Sequence, residues 1–383
     1  MIRAGAVART DLHFVFSGGV TGGHLFPGLA VAQQLAAMQP TPRLTFVGSD
    51  KNLERRFIRR SGYDYLPLVG RPMGRSPWNA IRFLADQMAA SRAAGRFLRR
   101  QRVSLVVGLG GYASVPMVRA AARAGVPIVL LEQNVVPGRA TRWLAPGATL
   151  VCLGYAEAAQ QLQANCPVRV TGIPLRAGFS ETERSSTSSS GRGRRRRALV
   201  VLGGSQGARS LNEAVPRALY KLRDHLAGWT VVHQTGTSDV ERTRRLYHKL
   251  ALQAVVTPFI KNMPHVMSAA ELAISRSGGT TLAELAAAEV PALLVPYPHA
   301  KDDHQRRNAD RFARRGAART VDPRMTPGRL DDQLAEELAG LLIDRHRRKL
   351  MSAAMRREAR PDAAWSVSRM ILDLVAMPSF RAA

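Results

Sequence analysis

The chain has 383 residues, of which 45% are hydrophobic, so it is long enough for two domains and has the composition of a globular protein. No apolar run reaches the roughly 18 residues of a membrane span, and the cysteines, Cys152 and Cys166, are too few for a disulfide framework and are predicted to be buried free thiols. Lysine and arginine number 56 against 28 aspartates and glutamates, and the net charge of +28 predicts an anionic partner: a nucleic acid, an acidic lipid surface or a polyphosphate.

Short apolar runs alternate with helical patterns along the chain. No signal-type apolar core precedes the first run, which predicts a cytoplasmic protein. The strands predicted in the first half are LHFVFS, RLTFVG, SLVVGLG, IVLLEQN and TLVCLG. Those predicted in the second half are ALVVLGG, TVVHQTG, AVVTPFI, LAISRSG and PALLVPYP. This alternation is typical of parallel sheets made of βαβ units, so we expect an α/β protein.

A glycine-rich loop between an apolar strand and a helix occurs once in each half. The first copy reads SGGVTGGH (residues 17–24) and the second reads GGSQGAR (residues 203–209). Glycine lets backbone N–H groups approach an anion, and a helix N-terminus adds about half a positive charge. Two such loops at equivalent places predict two similar domains that face a shared cleft and bind a phosphate-bearing substrate.

Between the halves, residues 180–197 contain no apolar residue and are predicted to form a disordered linker rich in serine and arginine. The C-terminal segment has apolar residues at helical spacing, which predicts an amphipathic helix that packs on another element. The residues that carry this spacing are Val367, Met370, Ile371, Leu374 and Val375.

The segment SRSGGTTLAE, residues 275–284, follows a predicted strand and places glycines and threonines where a helix should begin. Backbone donors at such a point can hold a diphosphate, and Glu284 can accept both hydroxyls of a ribose. A capping box of Thr280 or Thr281 with Glu284 is the structural alternative. The local pattern leaves both interpretations open.

Three further polar segments follow predicted strands. His24 closes the first glycine loop at a helix N-terminus, where a neutral imidazole can accept a proton, although a lone histidine is more often structural. The segments 132–134 (EQN) and 302–305 (DDHQ) lie where open α/β folds bind ligands. His304 stands beside two aspartates, but no second histidine or cysteine lies at ligand spacing and no Asp-X-Asp motif occurs. No bound metal is therefore expected.

Two other functions fit part of the pattern. Residues 108–113, GLGGYA, match the GxGxxA pattern of nicotinamide-binding proteins, but they belong to an internal βα unit and leave the other glycine loops unexplained. A nucleic-acid-binding protein would explain the charge but not those loops, and no aromatic stacking platform is visible. We therefore expect no nicotinamide cofactor and no nucleic-acid partner.

Seven segments together form a recognisable set: SGGVTGGHLFPGLAVA, GGYASVP, EQN, TGIPLR, GGSQGARSLN, SRSGGTTLAE and DHQ-x-x-NA. This set resembles the MurG family, the N-acetylglucosaminyltransferases of glycosyltransferase family 28, in the family's order over roughly residues 12–375. The resemblance implies a GT-B fold, in which two Rossmann-like, doubly wound parallel-sheet domains face a central cleft. It also implies that UDP-GlcNAc binds the C-terminal domain and that the lipid acceptor binds the N-terminal domain.

The predicted division is an acceptor- and membrane-binding domain (1–179), the linker (180–197), a UDP-GlcNAc-binding domain (198–363) and a helix that packs back on the first domain (364–383). The implied reaction is inverting transfer of GlcNAc from UDP-GlcNAc to lipid I, which gives lipid II, without a metal or other cofactor. The alternative is another GT-B enzyme, such as a UDP-GlcNAc 2-epimerase or a glycolipid glycosyltransferase.

The resemblance makes His24 the candidate catalytic residue and assigns donor contacts by matched motif. The implied UDP-GlcNAc contacts are Thr21, Gly22, Gly23, Asn134, Arg176, Ser205, Ile260, Gly279, Thr280, Thr281, Leu282, Ala283, Glu284 and Gln305. The chain departs from the family pattern at Val20, which replaces a small residue, at Leu131, where histidine is common, and in the serine- and arginine-rich insertion.

An apolar stripe with an arginine-rich surround is predicted within residues 71–102. Trp78, Ile81, Leu84 and Met88 fall at near-helical spacing among Arg71, Arg75, Arg82, Arg92, Arg96, Arg99, Arg100 and Arg102. This pattern is typical of an interfacial helix, and packing into the domain core is the alternative. Since the implied acceptor has a polyprenyl tail, we expect peripheral binding at the cytoplasmic face of the inner membrane. The expected partners are UDP-GlcNAc, lipid I, the anionic membrane surface and other cell-wall synthesis proteins.

Overall fold

The computed structural model describes residues 12–19, 22–49, 52–68, 77–179, 197–204, 207–325 and 328–377. The chain forms two compact units. Unit 1 comprises Met1–Gln133, Pro137–Arg176 and Asp362–Ala383, and unit 2 comprises Asn134–Val136 and Ala177–Pro361. Apart from Arg197, the predicted linker lies outside the described residues.

The described part of unit 1 contains one parallel sheet. Its strands are β1 (His13–Ser17), β2 (Arg43–Gly48), β3 (Asp64–Pro67), β4 (Leu105–Gly108), β5 (Ile128–Glu132), β6 (Leu150–Leu153) and β7 (Val168–Val170). Their order in the sheet is β3-β2-β1-β4-β5-β6-β7. The central strands are continuous apolar runs because helices cover both faces of a doubly wound sheet.

The helices of unit 1 pack on this sheet. They are α1 (Gly22–Ala36), α2 (Asn52–Arg60), α3 (Pro77–Arg100), α4 (Val115–Arg123) and α5 (Arg139–Leu144), with single 3-10 turns at Tyr112–Ser114, Ala145–Gly147 and Ala156–Gln161. Cys152 is buried in β6 and Cys166 is half-buried, and neither forms a disulfide. Only the first of these two thiols therefore lies fully inside the core.

Unit 2 repeats the same plan. Its strands are β8 (Arg197–Leu202), β9 (Trp229–Gln234), β10 (Ala254–Thr257), β11 (Ala270–Ser275), β12 (Ala292–Leu294) and β13 (Ala318–Thr320). They form a parallel sheet of order β10-β9-β8-β11-β12-β13. Counted from its first strand, this is the 3-2-1-4-5-6 order of dinucleotide-binding folds. The expected pair of doubly wound α/β domains is confirmed.

Unit 2 has helices on both sides of its sheet. They are α6 (Arg209–Lys221), α7 (Val240–Lys249), α8 (Met263–Ser268), α9 (Gly279–Ala287), α10 (His304–Arg314), α11 (Leu330–Ile343) and α12 (Arg345–Glu358), with 3-10 turns at Arg223–His225 and Lys301–Asp303.

The last helix, α13 (Ala363–Ala376), belongs to unit 1. Its apolar stripe joins the core on one side of the first sheet, where Val367 and Ile371 are fully buried. The Ser368 hydroxyl donates to the carbonyl oxygen of Ala364 at 2.8 Å, so its polar atom is satisfied inside this core. Among the helices of the described residues, none combines the length and the hydropathy needed to cross a bilayer.

Candidate active site

Each sheet has one place where the strand order reverses. In unit 1 this point lies between the adjacent strands β1 and β4, and in unit 2 it lies between β8 and β11. Ligands of open α/β sheets bind outside the carboxyl ends of the strands at this point, because the connections there leave in opposite directions and open a crevice. The predicted glycine loops follow β1, β8 and β11. Each therefore starts at a reversal point.

In unit 1, the loops after β1 and β4 approach each other closely. Gly18 and Gly110 have φ angles of 122° and 90°, in the region that favours glycine. A Cβ atom on Gly18 would lie 2.6 Å from the carbonyl oxygen of Gly110. The two backbones touch at a distance that only glycine permits. Thr21 and Val20 lie outside the described residues.

His24 lies in the first turn of α1, next to this pair of loops. A Cβ atom on Gly110 would lie 3.0 Å from Cδ2 of His24, so the imidazole packs against the glycine backbone. The side chain is half-buried, Gly22 is buried and Gly23 is exposed. The structure therefore places the candidate base at a helix N-terminus and at the reversal point of its own sheet.

Arg176 is brought to the same helix. Its guanidinium carbon lies 4.2 Å from the ring centroid of Phe26, a cation–π contact. Phe26 itself meets Phe57 edge-on with the centroids 5.6 Å apart. The chain thus places a cation beside α1, near the residue proposed for catalysis.

Glu132 has a structural role that the sequence did not reveal. Its carboxylate is buried and accepts hydrogen bonds from the backbone nitrogens of Gln133 at 3.0 Å and Gly138 at 2.9 Å, and from the Thr141 hydroxyl at 2.7 Å. These bonds fix the loop between β5 and α5.

In unit 2, the glycine loop after β8 leads directly into α6. Gly207 has φ 79°, and a Cβ atom there would overlap the carbonyl oxygen of Thr235. The residue that precedes the helix, Ala208, provides no side-chain cap. Backbone N–H groups at a helix start of this kind can bind an anion. Ser205 lies outside the described residues.

The N-terminus of α9 lies at the carboxyl end of β11, the strand that pairs with β8. Gly278 is the N-cap residue of the helix, so neither Thr280 nor Thr281 occupies the N-cap position that the alternative of a capping box requires, and that alternative is wrong. Thr280 and Thr281 lie inside the first turn, and Glu284 lies one turn further on with only 4% of its surface exposed. The implied donor contacts Gly279, Thr280, Thr281, Leu282, Ala283 and Glu284 therefore occupy two successive turns of one helix.

Arg276, which sequence reasoning passed over, joins three loops at this edge. Its Nη1 donates to the carbonyl oxygens of Val295 and Pro296, each at 3.0 Å, and its Nη2 donates to the Ser210 hydroxyl at 2.7 Å. Burial lowers the pKa of the guanidinium to about 10, so it remains a cation at neutral pH. Its position inside the SRSGG segment was the signal that could have found it.

Gln234 is a second residue that the sequence analysis missed. Its amide nitrogen donates to the carbonyl oxygen of Gly204 at 3.0 Å, and its amide oxygen accepts from the backbone nitrogen of Ile260 at 2.9 Å. It links the glycine loop to the segment that carries Ile260, which is 5% exposed. The signal was a polar side chain at the carboxyl end of a predicted strand.

Asn308, on α10, is fully buried and holds two segments of unit 2 together. Its Nδ2 donates to Oδ1 of Asn134 and to the carbonyl oxygen of Ser277, each at 3.0 Å. Its Oδ1 accepts from the backbone nitrogen of Val135 at 2.9 Å. Asn134 is therefore positioned beside the loop that begins α9. The segment DHQ-x-x-NA contained Asn308, but the sequence assigned it no role.

Gln305 lies in the first turn of α10 and is fixed at both ends. Its carbonyl oxygen accepts from the Ser277 hydroxyl at 2.7 Å, and its side-chain Oε1 accepts from the backbone nitrogen of Tyr297 at 3.0 Å. Because Oε1 faces a donor, the amide is oriented with its NH₂ group on the other side. Gln305 thus presents donors, which suit the hydroxyl oxygens of a sugar.

The predicted stripe lies on α3. The side chains of Trp78, Ile81 and Leu84 lie outside the described residues, and Met88 is 54% exposed. Further along the helix, a groove of about 410 Å³ between α3 and α4 is lined by Arg92, Arg96, Arg99 and Arg123. None of these four has a carboxylate partner within the described residues.

No group of three or more histidine, cysteine, aspartate or glutamate side chains that could hold a metal ion occurs among the described residues. His304 donates from Nδ1 to the carbonyl oxygen of Lys301 at 2.7 Å, which fixes its tautomer. Its local role is to close the turn before α10.

Comparison with protein families gives two matches. Residues 14–152 match the glycosyltransferase family 28 N-terminal domain, and residues 198–366 match the glycosyltransferase family 28 C-terminal domain. The first match lies mostly in unit 1 and the second mostly in unit 2, and together they include both reversal points.

Curated relatives match over nearly their whole length. The protein of Methylococcus capsulatus named UDP-N-acetylglucosamine–N-acetylmuramyl-(pentapeptide) pyrophosphoryl-undecaprenol N-acetylglucosamine transferase is 40% identical over 362 residues, covering 94% of this chain and 98% of its own. The protein of the same name from Stutzerimonas stutzeri is 37% identical, with coverage of 94% and 98%.

Two solved structures are also similar to this chain. The crystal structure of Acinetobacter baumannii MurG is similar with a TM-score of 0.72 and 29% identity, over 94% of this chain and 99% of that one. The UDP-GlcNAc 2-epimerase of Neisseria meningitidis, solved with UDP-GlcNAc, has a TM-score of 0.66 but only 11% identity, covering 95% and 100%. The second likeness concerns the fold alone.

Proposed function

Since the chain belongs to glycosyltransferase family 28, we propose that it transfers N-acetylglucosamine from UDP-GlcNAc to lipid I and so makes lipid II for peptidoglycan synthesis. The observation that carries this proposal is the placement of two helix N-termini, those of α6 and α9, at the carboxyl ends of the paired strands β8 and β11. Such a pair suits the diphosphate of a nucleotide sugar.

Donor binding is supported by the surroundings of these two helices. Ile260 offers an apolar surface next to the glycine loop, which suits the uracil. Glu284 supplies a buried carboxylate for the ribose hydroxyls. Gln305 and Asn134 supply oriented amides for the sugar. Thr21, Gly22, Gly23, Arg176 and Ser205 complete the proposed contacts on the strength of the matched motifs.

The reaction breaks the bond between the anomeric carbon and the diphosphate and forms a bond from that carbon to a hydroxyl oxygen of lipid I. The hydroxyl attacks from the face opposite the leaving UDP, which inverts the α linkage to β. His24 takes the proton of the hydroxyl as general base, which requires a neutral imidazole. Its half-buried position in the first turn of α1 supports this role.

The leaving UDP gains negative charge as the bond breaks. Backbone N–H groups at the starts of α6 and α9 stabilise that charge without moving, because the glycine loops already hold them in place. Arg276 ties the α6 turn to the ends of β11 and β12, and this link keeps the two N-termini in register. The preorganised dipoles stabilise the transition state more than the bound donor.

The acceptor has a polyprenyl tail in the bilayer, so we propose that unit 1 binds the cytoplasmic face of the inner membrane through α3. The exposed side chain of Met88 and the four arginines of the α3–α4 groove support an interfacial position. Each basic residue near an anionic surface contributes about 1 kcal/mol. Other cell-wall synthesis proteins are proposed as further partners.

Release of UDP from UDP-GlcNAc tests the transferase proposal. We expect release only when lipid I is added, with lipid II as the second product. Release of UDP without an acceptor, or conversion of UDP-GlcNAc to its 2-epimer, would instead assign the chain to the alternative reaction. An equal amount of heat-denatured protein is the control for contaminating hydrolysis.

A further inference from the structure

Two consecutive residues before α10 have left-handed backbone angles. Asp302 has φ 52° and ψ 25°, and Asp303 has φ 53° and ψ 26°. L-residues other than glycine adopt this region at a cost, and aspartate tolerates it better than most because its short side chain finds local partners. Within the described ranges, these are the only adjacent non-glycine residues with positive φ. Something nearby must hold the turn.

Arg324 is placed to hold it. Its Nη1 and Nη2 lie 3.2 and 3.4 Å from the two carboxylate oxygens of Asp303. Its Nε and Nη2 also bind the carboxylate of Asp322, at 3.1 and 2.9 Å. One guanidinium therefore joins the strained turn to the segment after β13. A planar, five-donor group can serve two carboxylates in this way, whereas a lysine ammonium cannot match both.

Asp322 also binds the helix that follows the turn. Arg306, next to Gln305 in α10, donates from Nη1 to Oδ2 of Asp322 at 3.2 Å. The Asp322 side chain is only 11% exposed. The hydrogen bonds from Arg324 hold the pKa of Asp322 below its usual range, so the carboxylate is charged at neutral pH. The turn before α10 and the first turn of α10 are thus both linked to the half-buried carboxylate of Asp322.

We propose that Arg324 is a positioning residue for the sugar of the donor: by joining Asp303 to Asp322, it sets the start of α10 and so the orientation of the Gln305 amide. This inference rests on the proposed function, in which Gln305 binds the GlcNAc group. The proposed contacts of UDP itself, Ile260 and Glu284, lie on other elements. Loss of Arg324 therefore affects recognition of the sugar and leaves binding of UDP intact.

The ion pair of Arg324 with Asp303 is too exposed to add much to global stability. The side chains of Arg324 and Asp303 are 37% and 39% exposed, and pairs of this kind add little to the free energy of unfolding. Arg319 and Glu337 provide a matched control in the same unit. They form a two-bond pair at 2.9 Å with exposures of 48% and 29%, but they do not contact the turn.

Calorimetric titration of UDP and of UDP-GlcNAc into the full-length protein tests this inference. For Arg324→Ala we expect roughly tenfold weaker binding of UDP-GlcNAc, less than twofold change for UDP, and an unchanged melting temperature. Arg324→Lys should behave like the alanine variant because it cannot join both carboxylates. Arg319→Ala should change neither affinity.

Equal losses for UDP and UDP-GlcNAc would show a general structural role and overturn the inference. Wild-type affinity for UDP-GlcNAc in Arg324→Ala would overturn it too, and wild-type affinity in Arg324→Lys would refute the joining of two carboxylates. A parent protein that binds UDP but not UDP-GlcNAc would instead refute the proposed function. These results are distinguishable, since the last one is seen before any variant is made.

Discussion

The side-chain oxygen of Gln234 accepts a hydrogen bond from the backbone nitrogen of Ile260 at 2.9 Å. Through its amide nitrogen, the same side chain holds the carbonyl oxygen of Gly204 in the glycine loop. The apolar surface proposed for uracil and the loop proposed for diphosphate are thus connected by one buried amide. Both parts of the nucleotide site depend on its geometry.

Replacing Gln234 by leucine should weaken UDP binding. The substitution keeps the volume but leaves the Ile260 N–H and the Gly204 carbonyl without their partner, a loss of about 1–3 kcal/mol for buried groups. Calorimetry with UDP measures the effect. Gln160→Leu, at an exposed glutamine in unit 1, is the control. Unchanged affinity in Gln234→Leu would separate this amide from the nucleotide site.

Glu284→Ala should weaken UDP binding by about 1–3 kcal/mol, because the ribose hydroxyls lose a charged acceptor. A sharper result comes from comparing UDP with 2′,3′-dideoxy-UDP. The parent should prefer UDP, whereas the variant should bind both equally. Glu336→Ala, at an exposed position of α11, should retain the preference. If the alanine variant still preferred UDP, the ribose contact would lie elsewhere.

His24→Ala should lower kcat by roughly 10²–10⁴-fold with little change in the KM for UDP-GlcNAc, as expected for loss of a general base. Steady-state kinetics with lipid I as acceptor provide the measurement, and His265→Ala, at an exposed histidine of unit 2, is the control. A near-normal kcat would leave His24 as a packing residue against Gly110.

Changing Trp78 and Ile81 together to serine should reduce sedimentation with anionic vesicles while UDP binding persists. The apolar contribution is lost, but the arginines remain, so the residual binding should fall steeply as salt is raised. Trp365→Ser, at a tryptophan 56% exposed on α13, is the control. Equal sedimentation of the double variant and the parent would support packing of the stripe into the core.

His233 should make the protein less stable in acid. Its ring is fully buried between Asn212 and Tyr247, and burial lowers its pKa to about 3. As pH falls below about 6.5, His233 is protonated in the unfolded chain but stays neutral in the folded chain. The free energy of unfolding therefore decreases until about pH 3, where the folded chain is protonated too. This contribution reaches roughly 5 kcal/mol over the whole window.

Urea unfolding at pH 7 and at pH 4.5 measures this effect. The difference between the two values should shrink in His233→Asn, whatever the stability of that variant at pH 7. His13, whose pKa burial also lowers, contributes in the same direction and remains in both proteins. An unchanged difference would show that His233 is not the source.

The central strands could be predicted because burial on both faces demands uninterrupted apolar residues. Phe14, Val15 and Phe16 of β1 are all fully buried, and the three consecutive apolar residues in the run LHFVFS predict this burial. The sequence analysis missed β3, β7 and β13, each at an edge of its sheet. Edge strands bury less of their side-chain surface, as the half-exposed residues of β3 illustrate. Short sequences that mix apolar and polar residues also show no clear hydrophobic periodicity.

The candidate site was predictable where glycine and a helix start coincide, as at Gly207 and Gly279. It was not predictable where one polar side chain joins segments far apart in sequence. Asn308 meets Asn134 across 174 positions, and no local pattern records such a pair. The contacts of Arg276 with strand-end carbonyls were equally unpredictable, since every residue has a backbone carbonyl and the sequence does not indicate which one is bound.

Gly207 shows how a position can be restricted without touching a substrate. Its φ and the nearby carbonyl of Thr235 leave no room for any side chain. In a library of all substitutions at this position, selection for activity should return glycine alone, as stringently as for a catalytic group. Judged by its tolerance to substitution, Gly207 would then look like a catalytic residue. Its constraint, however, comes from the close approach of a neighbouring backbone carbonyl.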